Sequence, residues 1–216
     1  LSPVIWRLID NDPDVLAEAI LRHGEEHHIE DFLVDLSETQ KLPLEQVSLV
    51  TTSALLDLVS ANFIRELSLL IKKENEHSPT GLYSALNYSG RIEWTPFHPL
   101  DPIILESFNN DQHRDKGFGP ALGPDATAFL KGQFQSADFE CFSAQSPWSL
   151  TSTDHLLIES LIDGISVMAL SSAEIAHSKI TDWKAFRRKN VRSGTCIVGH
   201  VDVLILPRVT INHAEN

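Results

Sequence analysis

The sequence contains no apolar run near the roughly 18–20 residues that a membrane-crossing helix needs, so no membrane span is expected. Its start lacks a basic stretch followed by an apolar core, so no secretory leader is expected. The first residue is Leu1, which leaves room for a processed, trimmed or fragmentary chain. Basic residues are scarce: 17 Lys and Arg stand against 30 Asp and Glu, a formal net charge of −13. A surface that grips a phosphate backbone must be basic, so the balance favours a small-molecule or protein substrate over nucleic acid. There are only two cysteines, Cys141 and Cys196, each inside an apolar, strand-like stretch. The two could pair, but the pattern favours buried free thiols in a reducing, cytoplasmic setting.

Several chemical signatures are also missing. No Gly-x-Ser-x-Gly elbow supports a hydrolase, and no Gly-x-x-x-x-Gly-Lys-Ser/Thr loop supports phosphate binding. His23, His27 and His28 sit close together, but Gly24 interrupts the face and no carboxylate completes a zinc set. No metal is therefore expected, and histidines there suit a helix C-terminus instead. Internal repeats and low-complexity segments are absent.

What is present is an ordinary globular composition, 42% hydrophobic and 22% charged over 216 residues, enough for one domain with a full core. Strand-like and helix-like segments alternate, which predicts a doubly wound α/β fold with a mostly parallel sheet. Val4 to Ile9 reads as a short buried strand ending at Asp10. Asp12-Pro13-Asp14 then starts a helix carrying Val15, Leu16, Ala19 and Ile20, which Gly24 stops. Further strands are expected over Ile29–Asp35 and Val47–Thr51. Ser60 caps a helix with Phe63, Ile64, Leu67, Leu70 and Ile71 on one face, and Lys72 and Lys73 near its end. Gly81–Tyr88 and Arg91–Thr95 read as strands joined by a hairpin turn at Ser89-Gly90.

The segment 96–124 holds five prolines and reads as a shaped lid or substrate loop, with one short helix from about Asp101. Beyond it, the pattern predicts a helix over Asp125–Ser136, a strand over Phe139–Ala144 and a helix over Thr153–Leu170. The last of these turns Leu156, Leu157, Leu161, Ile162 and Ile165 inward. A polar helix over Thr181–Val191 follows, then a buried strand over Cys196–Leu206 and a loose tail after Pro207. Lys184, Arg187, Arg188, Lys189 and Arg192 make that helix basic, either as a solvated face or as a surface for an anionic partner. Trp183 and Phe186 form its inward side.

Three strand–loop junctions carry the functional signal. In open α/β sheets ligands bind beyond the carboxyl ends of the strands, and an acid at the tip of the second strand accepts from ribose hydroxyls. Asp10, followed by Asn11, suits that role; so does a plain turn beside a helix cap. Asp35-Leu36-Ser37 and Thr51-Thr52-Ser53 close the next two strands. Asp35 could accept from an adenine amino group with Leu36 on the ring, or Asp35 and Ser37 could cap a turn. The glycine fingerprint that lies about 20 residues before such an acid has no room ahead of Asp10, and Gly24 and Gly81 do not form one. The first strand and its glycine turn are therefore expected upstream of Leu1.

The order Trp-Arg-Leu-Ile-Asp-Asn-Asp-Pro (6–13), Val-Asp-Leu-Ser (34–37) and Leu-Val-Thr-Thr-Ser-Ala-Leu-Leu-Asp-Leu-Val-Ser (49–60) resembles the Rossmann-like S-adenosylmethionine-dependent methyltransferases. More narrowly it resembles a bacterial set that also carries blocks like Tyr-Ser-Gly-Arg-Ile (88–92) and Asp-Lys-Gly-Phe-Gly-Pro-Ala-Leu-Gly-Pro (115–124). The resemblance spans essentially the whole chain. It implies S-adenosyl-L-methionine as cofactor and a methyl acceptor that is a small molecule. It places Asp10 and Asn11 at the ribose, Asp35 and Leu36 at the adenine, and Thr52, Ser53 and Ala54 at the methionine side. The chain departs from that family in lacking its glycine-rich turn.

Tyr88, Asn109, Gln112, Asp115, Lys116 and Phe118 are the candidate substrate contacts, and His113 is the candidate general base. A structural loop with internally paired charges is the alternative for this segment. Methyl transfer proceeds largely by alignment in a dry pocket, so a base is not obligatory. A nicotinamide-dependent oxidoreductase shares the ribose-binding acid and the topology, and a non-catalytic binding module needs neither chemistry.

Overall fold

A computed structural model describes residues 4–135, 139–171 and 175–208. The expected helix end at Ser136 and the tail from residue 209 lie outside the described residues.

The chain begins with β1 (Ile5–Asp10), α1 (Pro13–His23) and β2 (His28–Leu33). Asp12 caps α1, its carboxylate accepting from the N–H groups of Asp14 and Val15 at 2.9 and 3.4 Å. Pro13 follows at the first helical position, where its missing N–H costs nothing. The two strands pair in parallel, from Ile5 opposite His28 to Asp10 opposite Leu33.

Next come β3 (Leu49–Ser53), α2 (Ala61–Asn75) and β4 (Gly81–Thr95), a right-sized crossover joining two parallel strands. The Ser60 hydroxyl accepts from Phe63 N–H at the start of α2. The rest is α3 (Asp101–Gln112), α4 (Ala126–Phe134), β5 (Phe139–Gln145), β6 (Trp148–Leu150), α5 (His155–Ser171), α6 (His177–Asn190) and β7 (Thr195–Pro207).

The strands form two sheets among the described residues: β1 with β2, and β3-β4-β7-β5 with β6 also on β7. All three pairings made by β7 are antiparallel, so the sheet is mixed rather than mostly parallel. β1 and β3 each keep one edge with no strand partner among these residues.

Side chains alternate along β7 and thereby divide the core. Val203 and Ile205 pack with Phe63, Ile64, Leu67 and Ile71 of α2 and with Leu130 and Phe134 of α4. Cys196 and Val198, on the opposite face by the period of two, pack with Ile104, Ile158, Ile162, Ile165 and Trp183 of α3, α5 and α6. Helices thus cover both faces of the five-stranded sheet.

Several local expectations are corrected. Ser89-Gly90 is not a hairpin turn: β4 runs on through it, and both halves pair with the same strand β7. Extra residues bulge out of β4 between Ser84 and Asn87 and between Tyr88 and Ile92, with Leu86 at φ 55° and Gly90 at φ 80°. The turn-forming Gly90 supplies the bulge conformation instead. In α5 the inward face is Ile158, Ile162, Ile165, Ser166 and Ala169, while Leu156 is 70% exposed and Leu157 is exposed too. That helix is apolar nearly all round, so periodicity could not choose its buried side. β1 is not buried as expected, since Ile5 and Trp6 are exposed. β3 begins at Leu49 and reaches Ser53, which puts Thr52 and Ser53 inside the strand.

Candidate functional site

The strands β1 and β3 end at Asp10 and Ser53, and β2 ends at Leu33, two residues before Asp35 and short of the end expected for it. The Asp10 carboxylate accepts from Asp12 N–H at 2.9 Å, and its backbone oxygen accepts from Val34 N–H at 2.9 Å. That bond ties the end of β1 to the junction holding Asp35. Asn11 beside it is exposed. Asp35 is exposed and accepts from Ser37 N–H at 2.8 Å. The Ser37 hydroxyl and N–H hold its carboxyl below the usual carboxylate range, so it is an anion at neutral pH. Both acids also close local turns, as their alternative reading expected. Leu36 is partly buried against the core that contains Leu44.

On β3 the Thr52 hydroxyl donates to Ser84 Oγ at 2.9 Å, and Ser84 in turn donates to Asn87 Oδ1 at 2.8 Å. Fully buried Asn87 closes the chain by donating to the Ser84 and Val201 carbonyls. This relay locks the first bulge of β4 between β3 and β7. Ser53 and Ala54 are exposed, and Ala54 turns the chain at φ 50° while donating to the Ala85 carbonyl.

The 96–124 segment is more ordered than a lid loop. α3 extends to Gln112, so Asn109 and Gln112 stand on a helix. Asn109 accepts from the Tyr88 hydroxyl at 2.8 Å and donates to the Gly90 carbonyl at 2.9 Å. Gln112 backs onto Gly123, where a Cβ would come within 3.1 Å of it. Asp115 accepts from Gly117 and Gly119 N–H at 2.7 and 3.0 Å, and Lys116 pairs with Asp111 at 3.0 Å. Phe118 sits edge-on to Phe63 at 5.5 Å. Leu122 and Gly123 donate to the carbonyls of Val59 and Asp57, at 3.0 and 2.9 Å, beside a bridge between Ser60 and Ala121. These bonds staple 113–124 onto the loop between β3 and α2. His113 is exposed, with Nδ1 3.4 Å from the Ala121 carbonyl and Nε2 4.0 Å from Asp125.

Sequence reasoning missed the polar groups buried around Tyr88. His200 on β7 is opposite Tyr88 in the register, with its ring 6.4 Å from the Tyr88 ring and 4.8 Å from that of Trp148. Burial pushes its pKa down, so it is neutral at physiological pH. Asp57, in the apolar stretch Leu55–Val59, is buried against the N–H groups of Asp57 and Tyr88, and burial raises its pKa. A lone histidine in a strand and a lone acid among leucines have no spacing signature, so nothing in the sequence marked them.

A separate open cleft of about 410 Å³ lies among Trp94, Phe97, Asp101 and Leu105. Thr95 is ten residues along β4 from Ala85, which pairs with Ser53. With the bulges of β4 taken up, Thr95 is about eight strand positions from Ser84, so the cleft stands on the order of 25 Å along the strand from the end of β3. Among the described residues no group of three His, Cys, Asp or Glu side chains could hold a metal ion. No described helix is long and apolar enough to cross a membrane.

No family profile matches the chain, and no curated protein is similar enough in sequence to match it. Among solved structures, a protein of Bacillus halodurans C-125 provisionally assigned as a methyltransferase aligns with 96% of this chain and 84% of its own, at 15% identity and a TM-score of 0.50. At that identity the likeness carries the fold alone: this chain shares the mixed α/β fold of that protein.

Proposed function

We propose that the chain belongs to an S-adenosylmethionine-dependent methyltransferase acting on a small-molecule acceptor. The observation that carries the reading is the pair of acids at the strand ends, half-buried Asp10 and exposed Asp35, tied together by the Val34–Asp10 bond within a methyltransferase-like fold. Anionic Asp35 and the Asp10 carboxylate suit the hydroxyl and amino donors of an adenosine. Exposed Ser53 and Ala54, at the end of β3, suit the amino-acid end of the cofactor.

The unpartnered edges of β1 and β3 support one further element, a parallel strand between them that ends in a glycine turn. The cofactor would bring an electrophilic sulfonium methyl. The chain's own residues would orient the adenosine and exclude water. Segment 96–124 would close over the acceptor, with the stapled 113–124 stretch as its fixed base. His113, exposed and loosely held, stands where it could take a proton from an acceptor that needs deprotonation.

Calorimetric titration of the full-length protein with S-adenosylhomocysteine tests this. Binding is expected, and Asp10→Ala should weaken it by about 1–3 kcal/mol. Tight binding of NADH with no response to S-adenosylhomocysteine would overturn the reading in favour of an oxidoreductase.

A further inference from the structure

α5 is apolar nearly all round, yet only one side of it enters the core, through Ile158, Ile162, Ile165 and Ala169. On the opposite side Leu156 and Val167 are 70% and 64% exposed, and Leu157 and Leu170 are exposed as well. Between the large residues stand Ser160 and Gly164, both exposed. A Cβ added at Gly164 would meet nothing within 4 Å. One exposed leucine needs no explanation, but several on one side of a helix mark a contact surface. A helix apolar all round belongs in an interior.

The order of sizes along this side points to what covers it. It runs large, small, small, large: Leu156-Leu157, Ser160, Gly164, Val167. Counted from a midpoint at residue 162, the order reads the same in both directions. In an antiparallel pair of α5 helices related by a twofold axis, Leu157 meets Val167 and Ser160 meets Gly164, and both contacts occur twice. Small residues at the crossing let the two backbones approach to about 8 Å, the close end of helix packing.

Charge selects the antiparallel sense. Asp163 draws both Lys184 and Arg188, at 3.0 and 2.7 Å, which leaves one positive charge in surplus on that flank. Glu159, one turn earlier and half-buried, has no ion pair among the described residues. In the antiparallel pair the partner's Glu159 falls opposite residue 165, within a turn of Asp163 and its two cations. In a parallel pair the two copies of Glu159 would face each other instead, and like charges repel. We infer that α5 is the contact helix of a homodimer, covered by a second copy of this chain packed antiparallel across Ser160 and Gly164. At 17 residues the helix is about 25 Å long. One such pair covers less than the roughly 1,200–2,000 Å² of a standard stable interface, so the dimer forms and dissociates with concentration.

Sedimentation equilibrium of the full-length protein tests this. A monomer–dimer equilibrium with a dissociation constant on the order of 10–100 μM is expected. Val167→Lys buries a charge in the contact and should raise that constant about tenfold or more. The site is exposed in the single chain, so the urea midpoint should stay at the parent value. Oxidative cross-linking reads the geometry, with the parent chain as background. A mixture of Leu157→Cys and Val167→Cys should form disulfide-linked dimers. Val167→Cys alone should not, because ten residues, about 15 Å of helix, separate its two copies in the antiparallel pair. A monomer at every concentration overturns the inference and leaves this face to a different partner. So does a dimer that Val167→Lys leaves intact, which places the contact elsewhere, or Val167→Cys linking to itself as fast as the mixture does, which means a parallel contact. The concentration series needs no variant, so it decides even if a substitution disturbs folding.

Discussion

Arg187 on α6 lies against Asp101 at the start of α3, with only 2% of its side chain exposed. The guanidinium also donates to the Pro96 carbonyl at 2.6 Å and stands over the rings of Trp94, Trp183 and Phe186. Asp101 accepts in addition from Trp183 Nε1 and from His98 N–H, both at 2.7 Å. One ion pair thus fastens α6, α3 and the end of β4 to each other.

Removing one partner of this pair should be severe. Arg187→Ala leaves a buried carboxylate without its counter-ion, and a loss of about 3–5 kcal/mol is expected in urea denaturation. The double change Arg187→Met with Asp101→Leu should cost less than Arg187→Ala alone, because no charge is then left buried. Equal or additive losses would mean that the pair is solvated in solution.

Arg187 also shows where sequence reading fails. It sits in a run with Arg188 and Lys189, and a basic run reads as a solvated face. Arg188 does face outward, pairing with Asp163 at 2.7 Å, yet its neighbour turns into the core. Only the tertiary position of Asp101, 86 residues away, decides between them. The strands and most helices were legible because caps and periodicity are local: Asp12, Ser60 and Gly24 mark ends that the structure keeps. The two bulges of β4, the three-residue β6 and the placing of His200 opposite Tyr88 depend on β7, far along the chain. Of the candidate site, the strand-end acids were legible from position alone, while Asp57 and His200 were not.

Gly90 tests the bulge that replaced the expected hairpin. Its φ of 80° is strained for any residue with a Cβ, and an added Cβ would stand 3.1 Å from Pro124. Gly90→Ala should therefore cost about 1–2 kcal/mol or more, read as a lower urea midpoint. Because the Gly90 carbonyl accepts from Asn109, the same change should loosen the last turn of α3, which leads into the stapled segment. Faster amide exchange in 109–112, beyond that of the remaining helices, is the confirming sign. An unchanged midpoint would mean that the chain turns here in another conformation.

Two buried groups pull the pH dependence of stability in opposite directions. His200 is held below its ordinary 6.5 by burial, with Val198 and Asp202 opposing. Its depressed value means that its contribution is present above pH 6.5 and is lost as pH falls through the folded-state value. Asp57 is raised above its ordinary 3.8 by burial, so its contribution is present below that value and is lost as pH rises through the folded-state value. Urea midpoints measured across this window should fall less steeply on acidification in His200→Gln than in the parent protein. In Asp57→Asn they should fall less on the alkaline side. If neither variant changes the slope, both groups are solvated.

Asp10 and Asp12 stand two residues apart and should separate binding from stability. Asp12 is the N-cap of α1, satisfying two N–H groups, so Asp12→Ala should cost about 1 kcal/mol of stability. Its carboxylate is committed to the helix, and the affinity for S-adenosylhomocysteine should stay within about twofold of the parent. The Asp10 carboxylate accepts only the exposed Asp12 N–H among the described bonds, a contact that water can replace. Asp10→Ala should therefore leave the urea midpoint almost unchanged and take its effect in the titration. If the two variants lost affinity equally and in proportion to their stability, Asp10 would be a turn residue like its neighbour, and the adenosine would have to be held elsewhere.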